Sequence, residues 1–185
     1  VAAVLPIRKV VLPADLVGVT NGKIPQRLLR PIAPSGFLYW RAAESWERLR
    51  VLAAAEGLNL VHVGDYRPLA QQVALFTARM KPFPDVKRKT QTVRTWNGKK
   101  WFLHVGAPVA TPATSNHGLG IAIDAALKVG KRVVSISTKP VGCKRSGLAF
   151  LLAVAQCEGW SWELKSEPWH IRYVIGEKLP ATLAK

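Results

Sequence analysis

Apolar positions along the chain fall into two alternating periods. Between 38 and 56, Trp40, Ala43, Trp46, Leu49, Leu52 and Ala53 recur mostly at spacings of three and four. That spacing predicts an amphipathic helix, stopped by Gly57. Residues 58–63 alternate as a half-buried strand does. Pro68, whose fixed φ suits a first helical turn, opens a second helix reaching about Met80. The β-prone runs 90–96 and 99–105 flank Asn97-Gly98, a pair suited to the positive φ angles of a hairpin turn. A strand over 119–127 turns near Val129-Gly130 into another over 132–137. A helix over 146–157, ended by Gly159, and short strands over 161–164 and 169–175 complete the pattern. Residues 1–36 carry Pro6, Pro13, Pro25, Pro31 and Pro34 and show no helical period. They are read as an extended segment wrapping a single domain that spans 1–185. Hairpins mixed with separate helices predict an α+β fold, a small antiparallel sheet packed with helices.

Composition narrows the class. The chain has 185 residues, 49% of them apolar and 21% charged, which is globular and not disordered. Lys and Arg number 27 against 11 Asp and Glu, a formal charge of +16. Such a surface favours anionic partners: nucleic acid, anionic membrane or an anionic wall polymer. No apolar run is long enough to span a bilayer. The start is broken by Pro6, Arg8 and Lys9 and is not read as a signal peptide, so the expectation is a processed or excised chain. Cys143 and Cys157 are too far apart for a metal or redox Cys-x-x-Cys pair. A disulfide and two buried thiols both remain open.

Candidate chemistry lies in two segments. In Ser115-Asn-His-Gly-Leu-Gly-Ile-Ala-Ile-Asp124, His117 precedes a glycine turn and Asp124 sits on the strand after it. Strand alternation turns Ile121 and Ile123 to the core and Ala122 with Asp124 to the other face. An imidazole and a carboxylate meeting there make half of a zinc site. In Glu167-Pro-Trp-His170, His170 adds a third ligand, and a bend is needed to aim both Glu167 and His170 at one point. Three protein ligands leave a fourth position for water, the pattern of a catalytic zinc. Glu167 is then the general base. His62 and His104 are assigned to the core.

These residues resemble the D-Ala-D-Ala zinc metallopeptidases, of the superfamily that includes lysostaphin-type peptidases and the Hedgehog domain. The similarity rests on Ser115, His117, Gly120, Ala122 and Asp124, then Glu167, Trp169 and His170, and spans about 36–175. Glu167-Pro-Trp-His-Ile-Arg-Tyr173 is most similar to the D,D-carboxypeptidase branch. The resemblance implies His117, Asp124 and His170 as zinc ligands and Glu167 as catalytic base. Tyr66-Arg67-Pro68 matches the family's Tyr-Arg motif, which implies that Arg67 steadies the scissile carbonyl or oxyanion. It also implies Gln72, Ser115 and Trp169 at the substrate. A surface salt bridge is the competing role for Arg67. Asp65 stands where the family commonly has glycine, and a carboxylate there can pair with Arg67 and blunt it. The basic stretch 81–105 lies outside the motif, as a lid, a specificity insert or a solvated hairpin.

The implied function is zinc-dependent hydrolysis of peptidoglycan stem peptides, foremost as a D-alanyl-D-alanine carboxypeptidase. A wall-lytic endopeptidase of the phage-endolysin type is the alternative. A basic nucleic-acid binder, stacking bases on Trp40, Trp96 and Trp101, is a distant one. The N/N/O donor set suits Zn2+ and also accepts other divalent ions. Expected partners are stem peptides and an anionic wall polymer. No specific nucleic acid is expected, and the chain is taken as a monomer acting at the wall, in the periplasm or outside the cell.

Overall fold

Leu29–Pro31 (β1) and Phe37–Tyr39 (β2) form an antiparallel ribbon that leads into helix α1, Trp40–Ala55. The computed structural model describes residues 11–83, 92–135, 159–162, 167 and 169–174. The helix expected over 146–157, both cysteines, Pro168 and residues 84–91 lie outside the described residues.

Helix α1 buries Ala42, Ala43, Trp46, Leu49 and Ala53, the face its periodicity predicted. Leu52 is the exception, at 40% exposure. It lies one position beyond the buried stripe, where an apolar side chain tolerates water at little cost. The helix ends in a Schellman motif. Gly57 takes φ +74°, its N–H donates to the Ala54 carbonyl, and the Leu58 N–H donates to the Ala53 carbonyl.

Strand β3 is Leu60–Gly64, and Pro68 caps helix α2, Leu69–Arg79. Helix α2 leads directly into β4, Met80–Pro82, so the expected loop begins with a short strand. Strand β5 is Val93–Trp96 and β6 is Lys99–Leu103. They pair around Asn97 and Gly98, with φ of 49° and 70°. The three-stranded sheet β4-β6-β5 packs on α2 through Phe76. Trp96 and Trp101 lie 5.3 and 5.2 Å from the Phe76 ring, and 5.3 Å from each other. Both half-buried indoles thus belong to a small aromatic cluster on α2. His104, assigned to the core, is exposed just past β6. The strand has ended there, and no packing partner covers it among the described residues.

The second sheet carries the chemistry. Strand β7 is Ala122–Val129, β8 is Arg132–Ser135, β9 is Trp160–Trp162 and β10 is His170–Tyr173. All pairings are antiparallel: β3 lies on one edge of β7, while β10 and β8 share the other. Strand β9 extends the sheet beyond β10. The antiparallel α+β expectation therefore holds. Ile121, Ile123 and Ile171 are buried in the main core with Leu38, Trp46, Leu49 and Leu60. Leu16, Ile24, Leu29 and Ile32, from before α1, belong to the same core. No helix among the described residues is long and apolar enough to cross a membrane.

Asp15 secures the entry to α1. It accepts the Tyr39 hydroxyl at 2.7 Å and the Trp40 indole N–H at 3.1 Å. Partial burial pushes its carboxyl up, but these two hydrogen bonds outweigh that and hold it below its ordinary pKa. A depressed pKa stabilises the fold fully above the unfolded value of about 3.9 and ceases to do so as pH falls through the folded value. Asp15→Ala strands the buried Tyr39 hydroxyl and should cost about 1–3 kcal/mol. Urea melts at neutral pH should show this loss, and the gap from the parent should narrow in acid.

Candidate metal centre and active site

The register between β7 and β10 sets His170 directly opposite Asp124. Cross-strand partners share a face, so the carboxylate and imidazole meet on the side away from the isoleucines. The third side chain comes from a turn. Asn116–Leu119 form one turn of 3-10 helix, ended by Gly120 in the left-handed region at φ +63°. A Cβ on Gly120 would lie 2.8 Å from the Tyr39 nitrogen, and the Gly120 carbonyl accepts that N–H at 2.9 Å. The chain thus reverses tightly and delivers His117 above the start of β7.

The donors converge. His170 Nδ1 lies 2.9 Å from Asp124 Oδ1 and 3.2 Å from His117 Nε2, while His117 Nε2 lies 3.4 Å from Asp124 Oδ1. Ligands about 2.0–2.1 Å from a tetrahedral zinc stand roughly 3.3 Å apart, so the spacing of this set fits the ion. Both imidazoles are buried and the carboxylate is half-buried. His117 Nδ1 makes a 2.9 Å hydrogen bond to the Asp65 carbonyl. Only a protonated Nδ1 donates to a carbonyl, which leaves Nε2 with its lone pair toward the centre. Burial pushes the Asp124 carboxyl up, yet hydrogen bonds and charge from His117 and His170 hold it well below the usual carboxylate range.

Strand β3 makes room for that carboxylate. Its register against β7 shifts between His62 and Gly64, so Gly64 faces Asp124 and Val63 is left exposed. A Cβ on Gly64 would run into the Asp124 carboxylate. The next residue, Asp65, is near enough for its charge to act on Arg67, but its carboxylate is engaged by other groups. It accepts the Phe37 N–H at 3.3 Å and stands 3.6 Å from the ring of buried His62. His62 also packs edge-on against Trp46, in keeping with its core assignment.

Arg67 is half-buried, and its N–H donates to the His117 carbonyl at 3.0 Å. Burial lowers the pKa of its guanidinium, and the nearby Asp124 charge works against that shift. Its Nη1 donates to Gln72 Oε1 at 3.0 Å, and Gln72 Nε2 donates to the Ala110 carbonyl at 2.8 Å. Gln72 is 2% exposed, so its amide is engaged in tethering Arg67. Ser115 is buried, and its carbonyl accepts from Asn21 and Gly118. Trp169 packs partly against the main core, and its carbonyl accepts the Ala125 N–H. The bend required after Glu167 is present: the His170 N–H donates to the Glu167 carbonyl at 3.0 Å. Two contributors escaped sequence reasoning, the Asp65 carbonyl and Asn21. A backbone acceptor has no sequence signal, and Asn21 lies 94 positions from its partner Ser115.

The sequence profile of the VanY family, D-alanyl-D-alanine carboxypeptidases, matches residues 37–176. This chain belongs to the VanY family. Its place there and its His/Asp/His donor set agree on a zinc metallopeptidase. Among solved structures, the VanY-type fold recurs in the LD-carboxypeptidase LdcB, 19% identical with a TM-score of 0.55, over 83% of this chain and 71% of that one. It recurs in VanYB in complex with D-alanine-D-alanine, 21% identical with a TM-score of 0.50, over 82% and 81%. It is found again in the D,D-dipeptidase VanXYg with a D-Ala-D-Ala phosphinate analogue, 24% identical with a TM-score of 0.51, over 79% and 55%. A comparison with curated proteins finds no match.

Because Gly64 leaves the space Asp124 occupies, Gly64→Ala is expected to weaken zinc binding about tenfold or more while the fold persists. Zinc per chain after dialysis at graded free zinc, with circular dichroism as the folding check, measures this.

Proposed function

We propose that the chain removes the terminal D-alanine of peptidoglycan stem peptides, with His117, Asp124 and His170 holding Zn2+. The observation that carries this is the convergence of three donor atoms from a turn and two paired strands on one centre. Zinc bound there would supply Lewis acidity, polarising the scissile carbonyl and making water more acidic.

The protein's own groups do the rest. Glu167, half-buried at the start of the turn into β10, takes the proton from the attacking water and passes it to the departing amine of D-alanine. Arg67 remains charged, because a guanidinium keeps its proton at any working pH. Tethered by Gln72, it presents a fixed positive charge to the oxygen on which negative charge develops. In this account Gln72 acts on the substrate through Arg67. Ser115 and Trp169 flank the site, and we assign them to holding the stem peptide.

Charge supports an anionic wall as the place of action. Between Asp85 and Glu158 the sequence carries one acidic residue, Asp124, among many lysines and arginines. Lys99, Lys100, Lys128, Lys131 and Arg132 of this stretch are exposed. Long-range attraction would concentrate the enzyme on a polyanionic wall.

Three outcomes test the proposal. Glu167→Ala should keep its zinc and lose turnover by about 10²–10⁴-fold; an unchanged rate removes Glu167 from the mechanism. Mass spectrometry of digested muropeptides should show loss of one alanine, whereas a split stem would assign an endopeptidase. Hydrolysis of intact wall sacculi should slow as salt rises, while hydrolysis of a short D-Ala-D-Ala peptide should not.

A further inference from the structure

The segment before β1 packs against the turn that carries His117. Gly22 meets the His117 turn backbone to backbone: its N–H donates to the Gly118 carbonyl at 2.7 Å. Its own carbonyl accepts the Leu69 N–H at 2.9 Å, at the first residue of α2. Asn21 Nδ2 donates to the Ser115 carbonyl at 2.8 Å. Three residues after Asn21, the Ile24 N–H donates to the Tyr66 hydroxyl at 3.2 Å. Four hydrogen bonds from residues 21–24 therefore join the turn carrying His117 to the segment carrying Arg67.

The fit admits no extra atoms. A Cβ on Gly118 would strike the Asn21 amide, and a Cβ on Gly22, at φ +79°, would lie 2.6 Å from the Leu69 nitrogen. The Ser115 carbonyl also accepts the Gly118 N–H at 2.9 Å, so Asn21 grips the opening residue of the very turn that aims the imidazole. This clasp precedes residue 37, where the match to the VanY family begins.

We propose that Asn21 is a positioning residue for the metal centre, and that residues 21–24 form a clasp whose release loosens zinc by freeing the His117 turn. The inference rests on the assignment of His117 as a ligand. A ligand held in place binds without the cost of ordering it, and loss of an outer-sphere support commonly costs 10–100-fold in metal affinity. The clasp touches no reacting atom, so its effect should appear first in metal retention.

The test is zinc release from the loaded full chain to an excess of chelator, followed with a colorimetric zinc indicator. Asn21→Ala, which removes the donor, and the near-isosteric Asn21→Asp, which replaces it with an anionic oxygen facing the Ser115 carbonyl, should release zinc about tenfold or more faster than the parent. Asp15→Ala is the control, since it lies in the same N-terminal stretch but away from the turn. It should lower thermal stability and release zinc at the parental rate. His117→Ala separates the two layers. If it still holds zinc, the assignment of the centre fails and the clasp with it. If it loses zinc while both Asn21 variants match the parent, or while Asp15→Ala releases zinc as fast as they do, only the clasp is overturned. Coupling is reciprocal, so zinc loading of the unaltered chain should also slow hydrogen exchange at the Gly22 amide. Equal exchange with and without zinc overturns the proposal without any variant.

Discussion

One strand pairing governs the molecule: β7 against β10, with Asp124 facing His170. In an antiparallel ladder, a slip of one residue moves a whole set of side chains to the opposite face. Such a slip would turn the carboxylate into the core and an isoleucine into the site. What forbids it is apolar. Ile121 just before β7, Ile123 within it and Ile171 on β10 are buried in the same core as the apolar face of α1, and the observed register keeps Ile123 and Ile171 paired there. The hydrophobic core thereby fixes the position of polar chemistry on the reverse side. Backbone bonds beyond the paired residues secure it, from Ala125 to the Trp169 carbonyl and from Tyr173 to the Ile121 carbonyl.

Around that pairing, much of the remaining support comes from backbone groups, with Asn21 and Gln72 adding side-chain amides. His117 arrives on a turn closed by Gly120, takes its orientation from the Asp65 carbonyl, and is flanked by the irregular step in β3 that brings Gly64 opposite Asp124. Glycine at 64 and 120 marks places where another group must come closer than a Cβ allows. A site assembled in this way is rigid without needing many conspicuous side chains.

That also explains what could be read in advance. Period and punctuation carried helices α1 and α2, the Asn97-Gly98 hairpin and the alternation at 121–124, because each is a local signal. The convergence of His117, Asp124 and His170 followed from strand alternation plus a recognised motif. Less legible were features set by distant neighbours. Leu52 fits the helical period yet faces water, and His104 follows a strand but has left it. Gln72 stands at a position associated with substrate, while its amide is occupied by Arg67 and Ala110. Asp65 is suited by charge to neutralise Arg67, but its carboxylate is drawn to the Phe37 amide and His62. In each case the chain nearby is compatible with two outcomes, and contacts many positions away choose between them.

The carbonyl of His117 receives two donors, the amides of Gly120 and Arg67. One oxygen therefore ties the loop bearing an electron-pair donor to the loop bearing a fixed cation. Neither can drift without dragging the other. Wear in this corner of the protein would be felt as a single fault, dulling the grip on the ion and the welcome for a charged oxygen together.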